Sequence, residues 1–232
     1  MVSAAPASDP AIRDAATVIL LRRTPRPSVL MGQRGRAAVF MPSKFVFPGG
    51  RVDRTDGPLP GPGLRPAVAD ALTRDSACAP ERLAAAAIRE LWEETAQILG
   101  TPGAWDAPPA GWEAFADTGN LPDASGLQFF FRAVTPKGRP RRFDARFFLV
   151  EATALASDPD DLTGGDGELS HLAWVPLTEA RALDLPFVTE VALAELTAHL
   201  KDPDAPLTVP FFRNDDEAQL VSRLNGVRPL DL

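Results

Sequence analysis

The chain has 232 residues, a formal net charge of −7, 45% hydrophobic and 24% charged side chains. This is the make-up of a globular protein long enough to bury a substantial core, and the acidic balance without a basic block argues against a nucleic-acid polymer as partner. Cys78 is the only cysteine and His171 and His199 the only histidines, which excludes an internal disulfide and any cysteine- or histidine-rich metal cluster.

Residues 1–9 are rich in Ala, Ser and Pro and lack the basic region and apolar run of a secretory signal. No apolar run is long enough to span a bilayer, so a cytoplasmic chain with no membrane association is expected. Residues 15–21 read as a strand, and 28–31 as its neighbour across a Pro25-Arg26-Pro27 turn. Residues 44–47 form a short apolar strand that ends in Pro48-Gly49-Gly50, where the chain turns sharply. Residues 67–72 have the character of one or two helical turns.

A helix is expected over 80–95, with Pro80 at its first position, where the missing N–H costs nothing. Leu83, Ala84, Ala87, Ile88 and Leu91 form its apolar stripe. Stop signals come late, at Gly100 and Pro102. Further on, 112–117 reads as a small helix, 127–134, 143–150 and 172–175 as strands, 178–183 as a helix start capped by Thr178, and 189–200 as an amphipathic helix. Prolines concentrate in 56–66, 101–122 and 201–210, which are loops by composition. There is no internal repeat and no linker between independent cores, so one domain over 1–232 is expected. Short strands interleaved with helices imply a mixed sheet covered by helices.

Chemistry concentrates on the 80–95 helix. Glu90, Glu93 and Glu94 stand at i, i+3 and i+4, neighbours on one face. Such like charges repel unless they are solvated or neutralised. A hard dication, Mg2+ or Mn2+, neutralises them well because it takes oxygen ligands and leaves room for substrate phosphate oxygens.

The order Phe47-Pro48-Gly49-Gly50, then Glu81, seven residues, Arg89-Glu90-Leu91, one residue, Glu93-Glu94 resembles the signature of the Nudix hydrolases. That signature runs Gly, five residues, Glu, seven residues, Arg-Glu-aliphatic, one residue, Glu-Glu, one residue, Gly, aliphatic. The resemblance implies a Nudix-type α/β/α sandwich with a mixed β-sheet, carrying insertions near 51–80 and 101–126. It implies Glu90, Glu93 and Glu94 as Mg2+ or Mn2+ ligands and Glu81 as an accessory ligand or outer group. Arg89 would hold a carboxylate in register, and Gly49 and Gly50 would let the loop turn over the helix end beside the substrate. Two departures stand out: thirty residues, 51–80, separate Gly50 from Glu81, and Ala96-Gln97 replace the closing Gly-aliphatic pair.

Pro42 to Gly50, Thr135-Pro136 and Arg142-Phe143-Asp144-Ala145-Arg146-Phe147-Phe148 are similar to a long-insertion branch that includes the animal peroxisomal coenzyme A diphosphatase. The resemblance implies metal-dependent hydrolysis of a pyrophosphate linkage in a nucleoside diphosphate derivative, first of all coenzyme A or an acyl-coenzyme A. An ADP-ribose, NADH or nucleotide-sugar pyrophosphatase is the enzymatic alternative, and a Nudix-derived ligand sensor the non-catalytic one.

Outside the helix, Glu168 precedes strand 172–175 in a Gly- and Asp-rich loop; the Nudix resemblance implies a general base or extra ligand there, and the alternative is solvated surface. His171 is the second candidate base, or a neutral histidine near Trp174. Arg34 and Arg36 either bind substrate phosphates or decorate the surface. Asp144 between Arg142 and Arg146 reads as an ion-pair ladder or a cleft wall, with Phe143, Ala145 and Phe147 on the core face. The 189–200 helix and the apolar tail 207–212 either cover the core or form a homodimer interface.

Overall fold

The computed structural model describes residues 10–203, 207–213, 216 and 218–220. Residues 1–9 and part of the proline-rich stretch 201–210 lie outside the described residues. In chain order the first elements are β1 (Ile12–Arg22), β2 (Ser28–Arg34), β3 (Phe45–Val46), β4 (Gly49–Arg51), α1 (Pro66–Thr73) and α2 (Pro80–Thr95). There follow β5 (Gly100–Pro102), α3 (Glu113–Ala116), β6 (Asn120–Pro122), β7 (Gln128–Val134), β8 (Arg142–Glu151), β9 (Leu169–Pro176), α4 (Phe187–Lys201) and β10 (Phe211–Phe212).

An α/β architecture with a mixed sheet results. The main sheet runs β10-β7-β8-β1-β2-β3, with β4 added to β1 and β9 to β2. The β1–β8 and β7–β10 pairs are parallel and the others antiparallel. Strand β1 is central and apolar on both faces. Its Ala16, Val18 and Leu20 face a core shared with α2, while Ile19 and Leu21 face a second core, and all five are fully buried. Helix α2 fills the first core with Leu83, Ala84, Ala87, Ile88 and Leu91. Helix α4 covers the second with Val191, Leu193 and Leu196. No described helix is long and apolar enough to cross a membrane.

Several local expectations are corrected. Residues 178–183 form only a 3-10 turn, Ala180–Ala182, and Thr178 does not cap it. The Gly-Gly segment after Pro48 is not only a turn, because β4 pairs there with β1 through Ala15↔Arg51, Ala16↔Gly50 and Thr17↔Gly49. Helix α2 ends before its late stop signals, at Ala96 in the left-handed conformation (φ 56°). Gly100 and Pro102 instead lie in β5, which pairs with β6.

On β8, Phe147 is buried, but Phe143 and Ala145 are only half-buried. Its opposite face carries the deeper groups. Arg146, 1% exposed, donates to Asp14 Oδ1 at 2.6 Å and Ser76 Oγ at 2.7 Å. Asp144 accepts from Arg132 at 2.7 and 2.9 Å and pairs with Arg146 at 3.2 Å. Arg142 turns to the Thr135 carbonyl instead. The ladder exists, but Arg132 of β7 takes the place expected for Arg142. Of the tail, Phe211–Phe212 extends the sheet and Phe212 stacks on Phe131, so this part covers the second core within the chain.

Candidate active site

Helix α2 and strand β4 lie side by side, and their contacts build the site. The Gly49 N–H donates to Glu94 Oε2 at 2.8 Å. A Cβ on Gly50 would sit 2.4 Å from the Glu90 carboxyl carbon, so the missing side chain is what leaves room for that carboxylate. A Cβ on Gly49 would meet backbone, 2.5 Å from the Ala16 carbonyl oxygen. Both glycines therefore serve the carboxylates directly.

Arg89 organises the same face from below. It is 5% exposed, and its Nε and Nη2 donate to the two oxygens of Asp56 at 2.9 and 3.0 Å. Its Nη2 also donates to the Arg51 carbonyl at 3.0 Å, and its Nη1 to Glu90 Oε1 at 2.9 Å and Glu93 Oε2 at 2.8 Å. Burial works against the guanidinium charge, but the Asp56 hydrogen bonds and the surrounding carboxylates outweigh it and hold the group above its ordinary range.

The carboxylates are pushed the other way. Burial lifts Glu90 to about 7, opposed by Arg89 and reinforced by Glu93 and Glu168. Glu94, 2% exposed, is raised well above its ordinary value by burial, opposed by the Gly49 amide and reinforced by Glu90 and Glu168. Glu93 is raised by burial against the pull of Arg89. Buried Glu94 and half-buried Glu90 repel each other and, with Glu93 nearby, form an oxygen-donor set whose repulsion a hard dication would relieve. Among the described residues no three acidic, histidine or cysteine side chains already converge as a finished metal site. The fit rests on the burial of Glu94 and its repulsion with half-buried Glu90.

Glu168 faces this helix from the loop before β9. It is exposed and accepts from Arg34 Nη2 at 2.7 Å. Arg34 and Arg36 line a recess of about 260 Å³ with Gln33, Gly35, Ser43, Ser170 and His171. His171 is exposed, with Nδ1 3.1 Å from Ser170 Oγ. The Trp174 ring lies under the Arg22 guanidinium, whose central carbon is 4.1 Å from the ring centre. Glu81 stands apart from all of these. It is exposed on the first turn of α2, nine residues before Glu90, which at 1.5 Å per residue is about 13 Å along the axis.

No family model matches the chain. A Caenorhabditis elegans protein described as putative nudix hydrolase 7 is 32% identical over 176 residues, which span 70% of this chain and 51% of that protein. The crystal structure of a NUDIX hydrolase from Alicyclobacillus acidocaldarius superposes with a TM-score of 0.61 at 27% identity, covering 86% of this chain and 97% of that one. The chain belongs to the Nudix hydrolase superfamily. It spans about half the length of the curated relative it matches.

The Nudix pattern can now be placed in space. Five residues separate Gly50 from Asp56, the spacing the signature gives between its glycine and first acid. Asp56, not Glu81, is the acid that meets Arg89. The extra residues therefore interrupt the Nudix signature after its first acid, with an aspartate where the pattern has glutamate. Sequence reasoning missed Asp56 because Glu81 satisfies the seven-residue spacing to Arg89, although the spacing from Gly50 would have found it. Ala96 takes the left-handed conformation at the position of the closing Nudix glycine. Gln97, at the closing aliphatic position, is buried and was also missed.

Proposed function

We propose that the chain is a metal-dependent hydrolase that cuts a pyrophosphate linkage in a nucleoside diphosphate derivative. The observation that carries this is the pair of buried Glu94 and half-buried Glu90, packed beside Gly49 and Gly50 and faced by Glu168 and Arg34. In this reading Glu90, Glu93 and Glu94 hold Mg2+ or Mn2+, and Glu81 is too far along the helix to join them. A bound dication supplies Lewis-acid polarisation and charge screening at the phosphates.

The chain's own groups do the rest. Arg89 and Asp56 fix the rotamers of Glu90 and Glu93, so the donor set is held before substrate arrives. Arg34, with Arg36 beside it, binds the non-scissile phosphate oxygens. Glu168 takes the proton from the attacking water, and the Arg34 hydrogen bond orients it. The water oxygen bonds to phosphorus as the bridging P–O bond breaks, and the two phosphate monoesters leave.

For the substrate, coenzyme A or an acyl-coenzyme A comes first, supported by the Pro42 to Gly50 and Arg142 to Phe148 strings. The second string lies in β8, where its charged groups serve the Asp144 network, so its support concerns kinship and not contact with substrate. The test is a cleavage panel with Mg2+ and with Mn2+ on coenzyme A, acetyl-coenzyme A, ADP-ribose, NADH and a nucleotide sugar. Release of 3′,5′-ADP from coenzyme A in preference to all other cleavages is the expected result. Preferential cleavage of another member keeps the chemistry and removes the coenzyme A assignment. Silence across the panel together with tight binding of one member points to a sensor.

A further inference from the structure

The end of α2 departs from the Nudix pattern at Gln97, and the structure shows what the departure does. Gln97 is 1% exposed. Its Nε2 donates to the Asp161 carbonyl at 2.8 Å and the Asp158 carbonyl at 3.3 Å, and its Oε1 accepts from Ser157 Oγ at 2.9 Å. Ser157 Oγ in turn accepts from the Ile98 N–H at 2.9 Å. All these contacts reach one segment, residues 157–161, which opens the loop that carries Glu168. An aliphatic side chain would fill the same space and hold neither carbonyl.

Further along, the same loop seats on the last turn of α2 through its backbone. The Asp166 N–H donates to the Glu93 carbonyl at 2.7 Å. A Cβ on Gly165 would lie 2.5 Å from the Glu94 carbonyl oxygen, and one on Gly164 2.3 Å from Ala96 Cβ, so both glycines are needed for this approach. On the far side Trp174 Nε1 donates to the Pro159 carbonyl at 2.8 Å, and Arg22 bonds Asp160 at 2.7 Å. The Glu168 N–H then donates to Asp166 Oδ1 at 2.8 Å, so the carboxylate is one short step from the docked backbone.

We infer that Gln97 is a positioning residue: it clamps the 157–168 loop to the end of the carboxylate helix and so holds Glu168 opposite Glu90 and Glu94. This rests on the role given to Glu168 above. Gln97 touches no substrate; it acts through the loop. The inference also accounts for why a buried amide stands where the pattern has an aliphatic residue.

Two variants test it. Gln97→Met keeps length and bulk but loses the donors, and Ser157→Ala removes two bonds, to Gln97 Oε1 and from the Ile98 N–H, at a half-buried site. Amide hydrogen exchange should accelerate about tenfold or more in peptides covering 157–168 in both variants, with peptides covering 83–91 unchanged. Hydrolysis of the substrate chosen from the panel should lose about tenfold in kcat in Gln97→Met, with KM within about twofold. A Gln97→Met/Glu168→Gln double variant should be no slower than Glu168→Gln alone, because both changes remove one function. Unchanged exchange overturns the clamp, and losses that multiply in the double variant overturn its action through Glu168. A wild-type protein silent on every substrate sinks the reading of the site, and the exchange arm still decides the clamp.

Discussion

At the scale of single residues, the site depends on what is missing at Gly50 as much as on what Glu90 supplies. An alanine there would press on the far end of a flexible side chain, not on backbone. Gly50→Ala should therefore leave the thermal midpoint within a few degrees of wild type. Because it displaces Glu90, hydrolysis should fall about a hundredfold, the usual consequence of an ångström-scale misplacement. Undiminished turnover would remove Glu90 from the donor set. Glu90 also carries a pH signature. Its carboxyl is raised from 4.5 to about 7, first by burial and further by Glu93 and Glu168, against the pull of Arg89. The folded protein keeps this proton over a range where the unfolded chain has lost it. The contribution is thus complete below the unfolded value and is lost as pH rises through the folded one. In EDTA the thermal midpoint of wild type, relative to Glu90→Gln, should fall between about pH 5 and about pH 8. On the proposed reading Mg2+ binds only the folded, deprotonated site, so saturating Mg2+ should remove that fall. A difference that rises with pH in EDTA would contradict the burial argument. Glu90, Glu93 and Glu94 were legible in sequence because helical spacing places them together. Asp56 was not, because its partner Arg89 lies thirty-three residues away and a nearer glutamate fitted the pattern.

At the scale of elements, α2 was legible from Pro80 to Thr95 because proline marks its start and its stripe of Leu and Ala repeats at helical spacing. Its end was not. The chain leaves the helix at Ala96, a residue with no preference for the left-handed conformation it adopts there. Ala96→Gly should therefore stabilise the protein by about 0.5–1 kcal/mol, seen as a rise of a few degrees in thermal midpoint. A fall would mean that Ala96 Cβ is held by a contact more valuable than the relief of strain. The short strands β4, β5 and β6 were unreadable for a shared reason. Each is three residues long and rich in Gly or Pro, so composition marks a turn, and pairing partners supplied by distant segments decide otherwise. The 3-10 turn at Ala180–Ala182 is the reverse case, a cap-like threonine with too few residues behind it to propagate a helix.

At the scale of the whole molecule, two cores on either side of one sheet hold the parts of the site. Strand β1 belongs to both cores, β4 rides on β1, and α2 lies over both strands, so the glycines and the glutamates meet through apolar packing. The mixed sheet and its helical covers could be expected from the alternation of short strands and helices. The arrangement of the 101–126 segment could not, although it buries Phe115 against Trp92 on the flank of the same helix and Trp112 against Phe115. What the packing accomplishes is to keep Glu94 dry beside Glu90, and that is the claim on which the function stands. The most direct test is the hydrolysis rate of Glu94→Gln in saturating Mg2+, on the substrate that wild type cuts best. The change keeps the size of the side chain and removes its charge, and a loss of about a thousandfold is expected for a group that holds the dication. A loss of less than about tenfold would contradict the account.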